Sequence, residues 1–150
     1  MTRYLKALLL LAILLTLTTT GCDTLSSAAY NGKYEVAQQL IAKGHDVNGY
    51  DKWGWTPLMW AAYYNQYTIA RLLLEKGADP NIQSIKEYKS LKKGTTPFMV
   101  AAYSGNTVII REMLKYKGNP ELEDSQGNSA STYAEQYHGQ EVIKVVKGKN

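Results

Sequence analysis

DKWGWTPLMWAAYYNQYTIARLLLEKGADPNIQ, residues 51–83, reads as one complete structural unit. Thr56-Pro57 is a helix start: a Thr hydroxyl can cap a free backbone N–H, and proline at the first helical position forfeits no hydrogen bond. Leu58, Ala61 and Ala62 follow at helical spacing, with alanines small enough for another helix to approach closely. Asn65-Gln66 breaks the pattern, and Ile69, Ala70, Leu72 and Leu73 begin a second apolar helix face. Gly77 ends that helix, at a position that usually demands positive φ. Asp79-Pro80-Asn81 is turn chemistry leading out of the unit.

A helix–turn–helix of this size cannot bury both of its faces alone, so its recurrence matters. Thirty-three residues upstream, Leu25-Ser-Ser-Ala28-Ala29 matches Leu58-Met-Trp-Ala61-Ala62, and Gly44-His-Asp46-Val-Asn48 matches Gly77-Ala-Asp79-Pro-Asn81. Forty residues downstream, Gly94-Thr-Thr96-Pro97-Phe-Met-Val-Ala101-Ala102 repeats the helix start. A weaker copy begins at Asp124-Ser-Gln-Gly127 and continues through Ala134 to Glu141-Val142-Ile143. These residues resemble the ankyrin repeat family, whose unit carries a G-x-T-P-L-H-x-A-A core and a G-A-D-x-N end; Met59 stands where the family has His. The resemblance implies an all-α solenoid of four repeats joined by short hairpins, at about 23–50, 51–83, 84–123 and 124–150. The more polar end copies suit caps, whose outer faces meet water. Lys117 stands at the position of Gly77, with Gly118 one place later, which predicts a shifted or irregular helix end in the third repeat.

Residues 1–21 have a different character. Arg3 and Lys6 precede the apolar run Ala7–Leu17, and Thr18-Thr19-Thr20-Gly21-Cys22 follows. That is a signal-peptide layout, too short for a comfortable membrane span. Its end resembles a bacterial lipoprotein processing site, with Cys22 the residue to be lipidated and 22–150 the mature domain. The resemblance implies a chain anchored to the membrane and facing the periplasm or exterior. Cys22 is the single cysteine of the chain, which excludes an intrachain disulfide.

The formal charge is +4, falling to +2 without Arg3 and Lys6, and no dense basic run would track a phosphate backbone, so nucleic acid is not expected as a partner. Catalysis has no foundation either. His45 and His138 stand far apart in different repeats, and Asp46, Asp51, Asp79 and Asp124 recur at repeat turns, where aspartate bonds nearby backbone N–H groups. There is no P-loop, nucleophile elbow or zinc-ligand spacing. The expectation is a non-enzymatic, monomeric module with no cofactor or metal.

Twelve tyrosines and three tryptophans against one phenylalanine is a bias towards rings with a polar edge. In the family the hairpin finger and first helix line a concave binding face. By register Lys52, Trp53 and Trp55 lie on the second finger, while Tyr30, Tyr63 and Tyr103 share one position in successive first helices, about 10 Å apart. Tyr64 is next along, and Trp60 takes an inward core position. Between repeats two and three the spacing stretches from 33 to 40, placing SIKEYKSLKK (84–93) in a projecting finger made basic by Lys86, Lys89, Lys92 and Lys93. It is either a tolerated loop extension with solvated lysines or a reach towards an acidic partner or anionic headgroups. Rigid amphipathic rings beside lysines have the composition of protein-binding hot spots. The expectation is therefore a protein partner in the envelope, bound as a toxin or lytic enzyme to be blocked or as an enzyme to be supported. A glycan is the less favoured ligand, since only Asn31, Asn65 and Gln66 stand near the rings.

Overall fold

The computed structural model describes residues 23–148. Eight helices occupy them: α1 (Leu25–Asn31), α2 (Tyr34–Ala42), α3 (Pro57–Tyr63), α4 (Tyr67–Glu75), α5 (Pro97–Tyr103), α6 (Thr107–Lys115), α7 (Ala130–Tyr137) and α8 (Gln140–Val146). The first helix of each pair packs on the first helix of the next, and the second helices stack in a parallel row behind them. Within the described residues the only strand-like pairing is one antiparallel bridge, Tyr88 to Leu91.

The helix starts follow from their local chemistry. Thr96 Oγ1 accepts the Met99 N–H at 3.2 Å, and Pro97 occupies the first turn. The first repeat lacks Thr-Pro, yet Thr24 supplies the equivalent cap by accepting the Ser27 N–H at 3.0 Å. Close approach is achieved by the alanine pairs Ala28-Ala29, Ala61-Ala62 and Ala101-Ala102, all without solvent exposure. Leu58, Leu73, Phe98, Ile109, Ile110 and Met113 fill the space between the two rows.

The aspartates work as the turns require. Asp46 Oδ1 accepts the Asn48 N–H and Asp79 Oδ1 the Asn81 N–H, both at 2.8 Å. The asparagines then reach across to the next repeat. Asn48 donates to the Gly77 carbonyl and accepts the Asp79 N–H; Asn81 donates to the Lys117 carbonyl and accepts the Asn119 N–H at 2.7 Å. Each side chain therefore satisfies one orphan donor and one orphan acceptor of its neighbour's turn.

The end of the third repeat corrects one expectation. α6 is neither shifted nor irregular: it has nine residues, as α4 does, and lies forty positions on. Lys117 itself adopts the left-handed conformation, with φ 62° against 90° at Gly77. Gly118 serves a different purpose, because a Cβ there would stand 2.8 Å from Phe98 Cδ2 and 2.9 Å from the Met113 carbonyl oxygen. A non-glycine residue in the left-handed region costs roughly 1–2 kcal/mol. Lys117→Gly is expected to raise stability by about 1 kcal/mol, part of that relief being offset by glycine's greater freedom in the unfolded chain. A denaturant midpoint that stays put or falls would count against stored strain at this turn.

Candidate functional site

The first helices and the turns before them carry a continuous strip of rings. Tyr30 on α1 meets Tyr64 at 4.5 Å between centroids, Tyr64 meets Tyr63 at 5.0 Å, Tyr63 stacks on Tyr103 at 6.0 Å and 18°, and Tyr103 meets Tyr137 at 4.6 Å. The three tyrosines expected in register thus lie in one strip, though Tyr30 joins through Tyr64 and Trp60 rather than by contacting Tyr63. Between Tyr63 and Tyr103 the rings are also closer than the 10 Å expected for the ladder. The Tyr30 hydroxyl beside it, and then burial, hold the Tyr64 phenol above its ordinary range. Tyr137, in the degenerate fourth copy, is 46% exposed and completes the strip. The signal for it was its correspondence with Tyr64 rather than with Tyr63.

Trp53 and Trp55 separate. Trp53 is 49% exposed, whereas Trp55 has no exposed surface. The expectation that both present themselves to a partner is therefore corrected: residues two apart on the finger do not share its outer side once Gly54 takes φ 73° between them. The backbone N–H groups of Trp53 and Trp55 both donate to Asp51 Oδ1, which turns the chain inward, and Trp60 Nε1 donates to Asp51 Oδ2 at 2.6 Å. The Trp55 ring then lies against Trp60, Tyr63 and Tyr88 at 4.7, 5.8 and 4.9 Å. Trp60, 3% exposed, is the core residue its register position implied.

The 84–93 segment does not project. It folds back over the rings, with Leu91 fully buried and Tyr88 among Trp53, Trp55, Trp60 and Tyr63. Ser84 and Thr95 close its base through the Ser84 N–H to the Thr95 carbonyl at 2.9 Å. Lys89, in a left-handed conformation at φ 54°, donates to the Tyr63 hydroxyl at 3.1 Å and lies over the Tyr63 and Tyr88 rings. Those contacts hold its ammonium pKa above the usual lysine value, the bond to Tyr63 contributing most. Lys52 lies over Trp53 at 5.3 Å. The cations seated on the rings are thus Lys52 and Lys89. Lys92 pairs with Glu87 at 3.9 Å, and Lys93 borders a cleft beside Glu123 and Asp124, so this pair of lysines stands away from the strip.

His138, Asp124 and Tyr133 serve structure. His138 Nε2 lies 2.7 Å from the Tyr103 carbonyl oxygen, joining the fourth repeat to the third. Asp124, almost fully buried, accepts from the Gln126 and Asn128 backbones, from the Asn128 amide and from the Tyr133 hydroxyl at 2.6 Å. Burial would raise its pKa, but the Tyr133 hydrogen bond and then the Asn128 and Gln126 bonds outweigh it and hold the carboxyl below the ordinary value. Burial and the same bond push the Tyr133 phenol up to about 12. Among the described residues no group of three or more His, Cys, Asp or Glu is placed to hold a metal ion, and no helix is long and apolar enough to cross a membrane. Cys22 lies outside the described residues.

A stack of paired helices presenting one ring-lined face defines a repeat-built binding module. Family models for ankyrin repeats match residues 4–84 (three copies) and 58–116 (many copies), and the chain belongs to the ankyrin repeat family. Its members are typically binding modules, not catalysts, and the family implies a protein partner in general terms. The fourth helix pair falls beyond both matches and is recognised by its packing. Comparison with curated proteins finds no match.

Proposed function

We propose that this chain is a lipid-anchored interaction module of the bacterial cell envelope, tethered through acyl chains on Cys22 and binding a protein partner along the tyrosine strip. The strip carries the reading: Tyr30, Tyr64 and Tyr137 stand 37–46% exposed on a row of packed helices, so rigid anchors are presented with little entropy left to lose. Lys52, Lys86 and Lys89 border it, which favours an acidic edge on the partner. The tether rests on the basic start, the apolar run and Gly21-Cys22, and two or more acyl chains suffice for stable anchoring. α1 begins at Leu25, so the module would be held against the membrane surface. A toxin or lytic enzyme that is blocked and an envelope enzyme that is supported would dock alike; the partner's activity with and without this chain separates the two uses.

A photo-crosslinking residue in place of Tyr64 should trap one envelope protein in intact cells, while the same residue at Lys144 on α8 should trap none. Cys22→Ser should move the chain out of the detergent phase. Equal trapping at both positions would remove the strip from the reading, and unchanged partitioning would remove the anchor.

A further inference from the structure

At the N-terminal end of the strip, between α1 and the second hairpin, lies an open trough of about 660 Å³. Its composition is unusual. Four of its ten lining residues are Tyr or Trp, the other six are Thr, Ser, Asn, Asp or Lys, and no aliphatic side chain takes part. Pockets that anchor apolar side chains or drug-like ligands are lined mainly by hydrophobic residues with few polar groups. Here every lining residue carries a hydrogen-bonding atom, so the trough suits a ligand with apolar faces and polar edges.

We propose that this trough is a saccharide site, taking a pyranose unit of a polymer with equatorial hydroxyl or N-acetyl groups. Such a ring presents flat C–H faces for stacking and hydroxyls around its rim. The aromatic walls turn at each step: Tyr30 stands at 70° to Trp60, Trp60 at 79° to Tyr88, and Tyr88 at 70° to Trp53. Buried Trp60 forms the floor, while Tyr30 and Trp53, nearly half exposed, offer surface to a ring entering between them. Asn31 uses its amide N–H on the Ser27 carbonyl, which leaves its own carbonyl oxygen as an acceptor at the rim.

Charge argues against a cationic occupant. Asp51 is the one carboxylate of the trough, and its oxygens already accept from Trp53, Trp55 and Trp60. An ammonium, that of Lys52, already lies over one face of Trp53, which is still 49% exposed. A neutral, hydroxylated ligand meets neither an unpaired charge nor a competitor for the acid, and the Lys52 ammonium remains a donor at the edge.

All three tryptophans of the chain line this trough or lie beneath it, so intrinsic emission reports its occupation. The full chain in detergent should show a saturable emission change with a β-1,4-linked N-acetylglucosamine tetramer. Trp53→Ala, read by circular dichroism for fold and by calorimetry for binding, should weaken that interaction at least about tenfold with its melting curve intact. Tyr137→Ala should bind the tetramer normally, so loss of partner crosslinking in that variant is distinguishable from loss of this site. The proposal falls if neither this tetramer nor cellotetraose gives saturable binding, if Trp53→Ala binds as well as the native chain, or if a partner-derived peptide fills the trough where both saccharides fail.

Discussion

Trp55→Ala should lower the free energy of unfolding by about 3 kcal/mol, and the melting temperature with it. The ring is fully buried and touches three other aromatic side chains, one of them contributed by the 84–93 segment. Truncating a buried Trp to Ala costs roughly 3–5 kcal/mol in general. The lower end applies here because Trp55 Nε1 is buried without a hydrogen-bond partner, and deleting it relieves a desolvation cost of about 1–3 kcal/mol. Trp55→Phe, which keeps most of the apolar contact and drops the orphan N–H, should recover most of the loss. Urea titration of the three proteins decides the matter. A midpoint for Trp55→Ala equal to the native one would mean that the ring contributes nothing to the core. Any effect on partner binding should then scale with the fraction unfolded, in contrast to exposed Tyr64.

The second large effect is expected at Asp124. Asp124→Ala removes the acceptor of two backbone N–H groups and leaves the Tyr133 hydroxyl, on a side chain 2% exposed, without its partner. Leaving a buried donor unsatisfied and losing charge-assisted bonds together cost about 2–4 kcal/mol. The damage should be local, since these bonds close the turn that launches α7. Hydrogen exchange should therefore accelerate across α7 and α8 while α3–α6 keep their protection. The same carboxylate sets an acid limit. Its folded pKa lies below the unfolded value of 3.8, so its contribution is complete above that value and disappears as pH falls through the folded one. The native protein should lose the fourth repeat first on acidification below about pH 4, and Asp124→Ala should lack that component of the pH dependence. Uniform melting of all four repeats would contradict this.

Much of the fold was legible because the repeat carries its own register. Once Leu58, Ala61, Ala62 and Gly77 are placed, their equivalents follow at fixed offsets, and the turn aspartates follow by the same logic. The candidate site was legible only in part. Tyr30, Tyr63 and Tyr103 came from register and do lie in one strip. Trp55 was misjudged because a hairpin residue was weighed as surface, although its counterpart Thr95 is also fully buried. The 84–93 segment carries an insertion of seven residues without counterparts in the second repeat, so periodicity could not place it. Its folding back depends on Tyr88 and Leu91 finding an apolar surface that exists only after the solenoid forms. The role of Lys89 was hidden for the same reason, and charge count alone favoured Lys92 and Lys93. At Lys117 the backbone overrode the residue's preference: α6 must end where α4 ends for Asn81 to reach it, so lysine accepts the strained conformation.

The asparagine bridges between turns also turn two surface amides into clocks. The N–H groups of Asp79 and Asn119 sit in exposed turns, where exchange with solvent would ordinarily be immediate. Each is instead held by an asparagine from the preceding repeat. Neither can exchange until that bond between repeats opens, so each amide reports on the contact between its own repeat and the one before it. Their lifetimes therefore time the parting of repeats one and two, and of two and three, as separate events. A ligand gripping only the N-terminal end of the strip would slow the first clock more than the second. The chain carries within its turns a readout of where along its length it is being held.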